Sequence, residues 1–172
     1  MPWILNKSSG NKNAKKKLVV GWFSFTCSED STIMFLELLN DSFFDWKSKI
    51  EFRYCRFLKS KNELKDLDVA FVEGAISTQK ELDSLKEVRK NCKKLVAIGA
   101  CAVYGRPASQ RNEFDVKTKK EIDFILKRFG YLDKVLALNE VVKVDENVPG
   151  CPMNTEKFKE ILNKYLMEFK VV

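Results

Sequence analysis

Three short apolar runs constrain the fold of this chain more than any other feature of its sequence. The runs LVVGWFSF, LDVAFV and LVAI occupy positions 18–25, 67–72 and 95–98, and each is almost continuously hydrophobic. A strand that is covered on both faces has this pattern, whereas a strand with one wet face alternates between apolar and polar residues. The runs therefore predict central strands of a parallel sheet.

Helical periodicity separates these runs. Apolar residues recur every three or four positions over 31–46, 78–92, 119–129 and 158–169, and the second of these segments opens with a capping-box pair, Thr78 and Glu81. Ser28 and Asp30 offer caps to the first helix. We further expect an outer strand over 50–58 and short strands over 135–138 and 141–144. Alternating strands and helices predict a single α/β domain with a doubly wound, flavodoxin-like parallel sheet over 17–172.

The positive charge is concentrated at the start of the chain. Of the net charge of +7, five units come from the lysines of residues 1–17, which include no acid, so the remainder carries only +2. We expect residues 1–16 to be a flexible basic leader, with a partner-docking arm or a nucleic-acid contact as alternatives. The domain itself is not expected to bind nucleic acid.

The chain shows neither a membrane segment nor a targeting signal. No apolar run approaches the ~20 residues that span a bilayer, and the first residues lack the pattern of a signal peptide. These features predict a cytoplasmic protein without membrane insertion. In that reducing compartment, five cysteines are not expected to form disulfides, and the absence of histidine leaves sulfur, carboxylate or a bound cofactor to carry any chemistry.

Three of the cysteines follow strands or a turn. Cys27 and Cys101 come just after two apolar runs, and Cys151 lies in the turn Pro149-Gly150-Cys151-Pro152. In a parallel sheet of this kind, ligands gather where the strands end. Thiolates against apolar walls suit an iron-sulfur cluster, although three buried free thiols would give the same spacing.

Four motifs in fixed order carry a family resemblance. They are TCSED at 26–30, VEGAI at 72–76, GACAVYG at 99–105 and VPGCPM at 148–153. Together they resemble the small subunit of cytosolic nickel-iron hydrogenases and the homologous 20 kDa subunit of NADH:ubiquinone oxidoreductase, respiratory complex I. The likeness extends over residues 17–165.

The resemblance implies a flavodoxin-like electron-transfer subunit of an oxidoreductase complex that is not catalytic alone. It implies one iron-sulfur cluster, of the four-iron type, that exchanges electrons with the nickel-iron centre of a separate large subunit. A further electron-transfer subunit or a soluble carrier would take the electrons onward. The family's Gly-x-Cys and Gly-Cys-Pro loops match Cys101 and Cys151, and its first cysteine loop matches Cys27.

The first loop departs from the family pattern because its second cysteine is missing. In the family, most hydrogenase members have Cys-x-x-Cys there and complex I members have adjacent cysteines, whereas here Cys27 is followed by Ser28, Glu29 and Asp30. Asp30 takes the vacant place and is the expected fourth ligand. The alternatives are Asp30 as a helix cap with Ser24 or Ser28 near the cluster, or a site with three ligands.

Other residues have two interpretations each. Glu73 and Glu29 are candidates for contact with the large subunit or for proton relay, or else they are structural; Arg111-Asn112 should make interface or loop hydrogen bonds. Cys55 and Cys92 lie outside the motifs and are expected to fill the core. For the whole chain, the alternatives are a complex-I-like or membrane-bound hydrogenase subunit, and a scaffold that has lost its cluster.

Overall fold

The computed structural model describes residues 16–171. Seven strands are formed: β1 Leu18–Ser24, β2 Ile50–Cys55, β3 Leu67–Glu73, β4 Ile76–Thr78, β5 Cys92–Ile98, β6 Tyr131–Leu136 and β7 Glu146–Val148. Five α-helices accompany them in the described residues: α1 Asp30–Lys49, α2 Gln79–Lys90, α3 Gly99–Tyr104, α4 Val116–Arg128 and α5 Thr155–Glu168. Residues 1–15 of the predicted basic leader lie outside the described residues.

Five strands form one parallel sheet in the order β2-β1-β3-β5-β7. If the five strands of this sheet are numbered consecutively along the chain, their order is 2-1-3-4-5, which is the flavodoxin-like order. The predicted fold class is therefore confirmed. β4 and β6 pair separately as a short antiparallel ribbon. Within residues 16–171, no helix has both the length and the apolar content that crossing a membrane requires.

Each face of the sheet has its own apolar layer. Trp22 and Phe71 point to the face covered by α1 and α5, while Phe23 and Val72 point to the face covered by α2 and α3. All seven residues of β3 are buried, as the continuous apolar run predicts. Such double coverage explains why the central runs do not alternate.

Aromatic stacking organises the first layer. Phe35 of α1 stacks on Trp22 with 4.3 Å between ring centroids. Phe158 of α5 meets Trp22 at 6.0 Å, Phe35 at 5.8 Å and Phe71 at 5.2 Å. Phe158 thus joins the sheet to both helices on this side.

Local signals place α2 correctly but fail at several other segments. The Thr78 and Glu81 capping box is present as predicted. The strand expected over 141–144 is wrong, because the amides of Val141 and Val142 donate to the Leu138 carbonyl and close a helical turn. Val141, Val142 and Val144 still pack against the apolar layer on the face of the sheet that α2 and α3 cover. This packing accounts for their apolar character without strand pairing.

Three boundaries also differ from the expectations. The outer strand ends at Cys55 instead of residue 58, because the amides of Leu58 and Lys59 turn back to the Cys55 carbonyl. The strand expected over 135–138 lies over 131–136, and Leu138 begins a turn of 3₁₀ helix. The segment after the third apolar run, which carries the Gly-x-Cys match, forms the helix α3.

The aromatic layer makes a prediction about stability. Phe158→Ala removes a fully buried ring and should lower the free energy of unfolding by about 3–5 kcal/mol. Phe44→Ala is the matched control, since the Phe44 ring is 87% exposed, and it should change this free energy by less than about 0.5 kcal/mol. Urea unfolding followed by circular dichroism measures both. Equal losses would contradict the packing described.

Candidate functional site

The parallel register brings the predicted site residues to one edge of the sheet. Ser24 pairs with Glu73, Glu73 with Ile98, and Ile98 with Val148, so four strands end in one row. Cys27, Cys101 and Cys151 each follow this row by three residues. The three cysteines and Asp30 line one pocket, and the structure therefore brings together all four predicted site residues.

Cys27 lies on a loop that is pinned to the next loop along the sheet. The Thr26 amide donates to the Ala75 carbonyl at 3.1 Å, and the Ala75 amide donates back to Thr26 at 2.9 Å. The half-buried Cys27 thiol donates to the Phe25 carbonyl at 3.6 Å, and its Sγ lies 3.5 Å from Ser24 Oγ. Ser24 therefore makes a side-chain hydrogen bond with this sulfur.

Cys101 lies in the first turn of α3, where two glycines let three segments of the chain approach one another closely. Gly99 has φ +81° and an ideal Cβ there would stand 2.9 Å from Ser31 Oγ. Gly150 has φ +116°, and its carbonyl accepts the Ala100 amide at 2.7 Å. This hydrogen bond joins the Cys101 helix directly to the loop of Cys151, whose thiol is exposed.

Asp30 is a pocket residue and not a helix cap. It is the first residue of α1, preceded by Glu29 at φ 62° with no side-chain cap. Asp30 Oδ2 accepts from Ser28 Oγ at 2.7 Å and from the Cys151 thiol at 4.0 Å. The expectation that Ser28 or Asp30 caps α1 is wrong.

A carboxylate from β3 takes the place of the missing cap. Glu73 Oε1 accepts the Ser31 amide at 3.0 Å, and Oε2 accepts the Thr32 amide at 3.1 Å and the Thr32 hydroxyl at 2.6 Å. Glu73 is 3% exposed. These contacts fit the expectation that Glu73 is a structural residue. Glu29, in contrast, is exposed and accepts from Ser24 Oγ at 3.0 Å.

Ser31 is the residue of the site that the sequence did not reveal. Its side chain is buried, and its Oγ accepts the Met153 amide at 3.2 Å. The first turn of α1 is thereby tied to the loop that carries Cys151. A serine in a first helical turn is ordinary, and no local signal distinguishes this one.

Burial raises the pKa of two of the three pocket thiols. It raises the pKa of Cys27 to about 11, against a smaller opposing effect of the Ser24 hydrogen bond, and the nearby Glu73 charge adds to the increase. Burial also raises the pKa of Cys101. Metal ligation requires thiolates, so a positively charged group entering this pocket would displace protons from both sulfurs.

The donor chemistry of the pocket is compatible with an iron-sulfur cluster. Within residues 16–171, no group of three or more cysteine, aspartate or glutamate side chains is arranged to hold one metal ion. The irons of a cluster each take their own protein ligand, so cluster ligands stand around the group rather than against one another. Three thiols on three walls of one pocket, with close-approach glycines beside two of them, have the donor chemistry such a cluster needs.

The two remaining cysteines and the Arg111-Asn112 pair lie outside the pocket. Cys55 is fully buried in the aromatic layer, and Cys92 is half-buried beside Arg89, which fits the expectation that both fill the core. Arg111 donates to the carbonyls of Asp133 and Ser77. Asn112 exchanges two hydrogen bonds of 2.8 Å with the Val135 backbone, so this pair makes the expected loop hydrogen bonds.

Comparison with protein families decides the relationship. Residues 27–165 match the model of the family described as NADH ubiquinone oxidoreductase, 20 Kd subunit. The chain belongs to this family. The matched range begins at Cys27 and includes Cys101 and Cys151.

Several curated relatives are hydrogenase subunits. The delta subunit of the NAD-reducing hydrogenase HoxS of Cupriavidus necator is 31% identical over 111 residues, covering 55% of this chain and 53% of the relative. The delta subunit of sulfhydrogenase 2 of Pyrococcus furiosus is 30% identical over 132 residues, covering 74% and 53%. The gamma subunit of the coenzyme F420 hydrogenase of Methanosarcina barkeri is 28% identical, covering 63% and 38%. The chain thus spans about half the length, or less, of these relatives.

Solved structures share the fold. A chain of an NAD⁺-reducing [NiFe]-hydrogenase in the H₂-reduced state superposes with a TM-score of 0.74 at 22% identity, covering 89% of this chain and 93% of that one. A chain of the Ni-Fe-Se hydrogenase of Desulfomicrobium baculatum gives 0.60 at 17% identity, covering 86% and 61%. The α/β architecture is therefore that of hydrogenase subunits.

The raised pKa of Cys27 makes a prediction about reactivity. In the chain refolded without iron, alkylation at pH 8 should be slow at Cys27, because a thiol with pKa about 11 holds roughly 100-fold less thiolate than one at the ordinary 9.0. The rate should keep rising with pH up to about 11. Mass spectrometry of iodoacetamide-treated protein measures it for each cysteine.

The exposed Cys151 serves as the internal control and should be alkylated well before Cys27. Unfolding in urea should accelerate the reaction of Cys27. If Cys27 reacts as fast in the folded as in the unfolded chain, the protected environment described for its sulfur is contradicted.

Proposed function

We propose that this chain is the electron-transfer subunit of a nickel-iron hydrogenase and binds one four-iron cluster through Cys27, Cys101, Cys151 and Asp30. The observation that carries the proposal is the convergence of these four side chains on one pocket at the carboxyl edge of the sheet. Family membership supports it, as do the names of relatives that are hydrogenase subunits.

Each protein ligand has a distinct environment. Cys27 and Cys101 are partly buried, so their thiolates would be shielded from water, while Cys151 is exposed at the mouth of the pocket. Asp30 supplies a harder oxygen donor beside Cys151. When bound, the cluster would accept and release single electrons, and burial and hydrogen bonds to the sulfurs would set its potential.

The proposal includes a partner chain that carries the nickel-iron centre. Ser28, Glu29, Cys151 and Pro152 are exposed around the pocket, so a large subunit docked at this edge would complete its wall and shield the thiol of Cys151. Electrons would pass on to a further subunit or a soluble carrier. We place the complex in the cytoplasm, where the five cysteines would stay reduced.

Two alternatives make different predictions about the partner. A complex-I-like subunit would associate with respiratory-chain components, whereas a hydrogenase subunit would associate with a chain that has paired Cys-x-x-Cys motifs. Complex I members have two adjacent cysteines in the first loop, whereas here Cys27 is followed by Ser28. A scaffold without a cluster would bind its partner but no iron.

The cysteine ligands are tested by substitution in the partner-bound chain. Cys101→Ala and Cys151→Ala should each lower the iron and acid-labile sulfide content and remove the electron paramagnetic resonance signal of the reduced protein, because each removes one iron ligand. Cys92→Ala is the matched control: it is a half-buried cysteine away from the pocket and should leave the signal unchanged. A folded, partner-bound wild-type chain without iron would overturn the proposal.

Asp30 is tested separately by exchanging its donor. Asp30→Cys should retain or strengthen cluster binding because it restores a thiolate, while Asp30→Ala should weaken it because it leaves one iron without a ligand. Asp41→Ala removes an exposed acid farther along α1 and serves as the control. Iron content and spectra that are identical in both Asp30 variants would show that Asp30 is not a ligand.

A further inference from the structure

We propose that Glu73 is a positioning residue for the cluster site: from β3 it anchors the first turn of α1, which carries Asp30, and its negative charge lowers the reduction potential of the group bound in the pocket. This inference rests on the proposed function. It gives a role to a buried carboxylate that does not itself act as a ligand.

The anchoring follows from the start of α1. A helix begins with amides that have no partner inside the helix, and here no side chain of the preceding loop satisfies them. Glu73 accepts from the amides of Ser31 and Thr32 and from the Thr32 hydroxyl, all within 3.1 Å. The Thr32 hydroxyl also accepts from Trp22 Nε1 at 2.9 Å, which extends the network into the core. An anion at a helix N-terminus is stabilised further by the helix dipole.

The same contacts determine the relative position of the ligand loops. Ser31 is bound to Glu73 through its amide and to the Met153 amide through its hydroxyl. Asp30, its neighbour in sequence, is therefore held facing the Cys151 loop. Without the carboxylate, two buried amides and one hydroxyl would lose their acceptor, and the first turn of α1 would lose its connection to β3.

The charge acts over a short and poorly screened distance. Glu73 lines the same pocket as the three cysteines, is almost fully buried, and takes part in none of the ion pairs found in residues 16–171. A buried anion opposes the arrival of an electron nearby, so it lowers the reduction potential.

Asp68 offers a matched control on the same strand. It is a buried carboxylate at the opposite end of β3, 7% exposed, and it accepts from the Val19 amide at 3.0 Å and from Lys93 Nζ at 2.7 Å. Asp68→Asn therefore removes a buried, hydrogen-bonded charge away from the pocket. Its loss should destabilise the chain without changing the potential of the bound group.

The test compares Glu73→Gln, Glu73→Ala and Asp68→Asn in the full chain bound to its partner and loaded with iron. Redox titration followed by electron paramagnetic resonance should show a more positive midpoint potential in Glu73→Gln, which keeps the shape and one acceptor but not the charge. Glu73→Ala should lose iron as well. An unchanged potential in Glu73→Gln, or an equal shift in Asp68→Asn, would overturn the charge role.

Hydrogen exchange in the iron-free chain decides the anchoring independently. Glu73→Ala should accelerate exchange of the amides of Ser31 and Thr32, whereas Asp68→Asn should not. Equal protection in wild type and Glu73→Ala would overturn the anchoring. A wild-type chain that binds no iron would overturn the proposed function and the charge role together, and the exchange result would still stand.

Discussion

The parallel register of the sheet is the constraint on which the rest of this structure depends. Ser24, Glu73, Ile98 and Val148 are aligned across four strands. A cysteine lies three residues after Ser24, after Ile98 and after Val148, so the alignment of the strands brings the three cysteines to one pocket. A shift of one strand by a single residue would reverse its side chains and separate its cysteine from the others. The fully buried β3 and the aromatic layer around Trp22 hold that register.

Alignment of the strands does not by itself order the loops that follow them, and a small set of polar contacts does so. Glu73 fixes the start of α1, Ser31 joins this turn to the Cys151 loop, and the Ala100 amide joins α3 to Gly150. Glu73 and Ser31 are buried, so breaking one of their contacts leaves a polar atom without a partner. The pocket is therefore prearranged by residues that are not among its proposed ligands.

Local and periodic features of the sequence were sufficient for most of the fold. The apolar runs predicted the central strands, and Thr78 with Glu81 predicted the start of α2, because these signals depend on neighbouring residues. Position after a strand also grouped Cys27 with Cys101. The cap of α1 could not be found in this way, since Glu73 and Ser31 are 42 residues apart. The apolar segment over 141–144 does not form the expected strand, because burial alone does not determine strand pairing.

Anomalous X-ray scattering at the iron absorption edge, on crystals of the anaerobically purified complex, tests the central claim most directly. We expect one compact iron peak in the pocket of Cys27, Cys101 and Cys151, with Asp30 as the fourth protein ligand. An ordered pocket without an iron peak, or a peak bound by other residues, would contradict it.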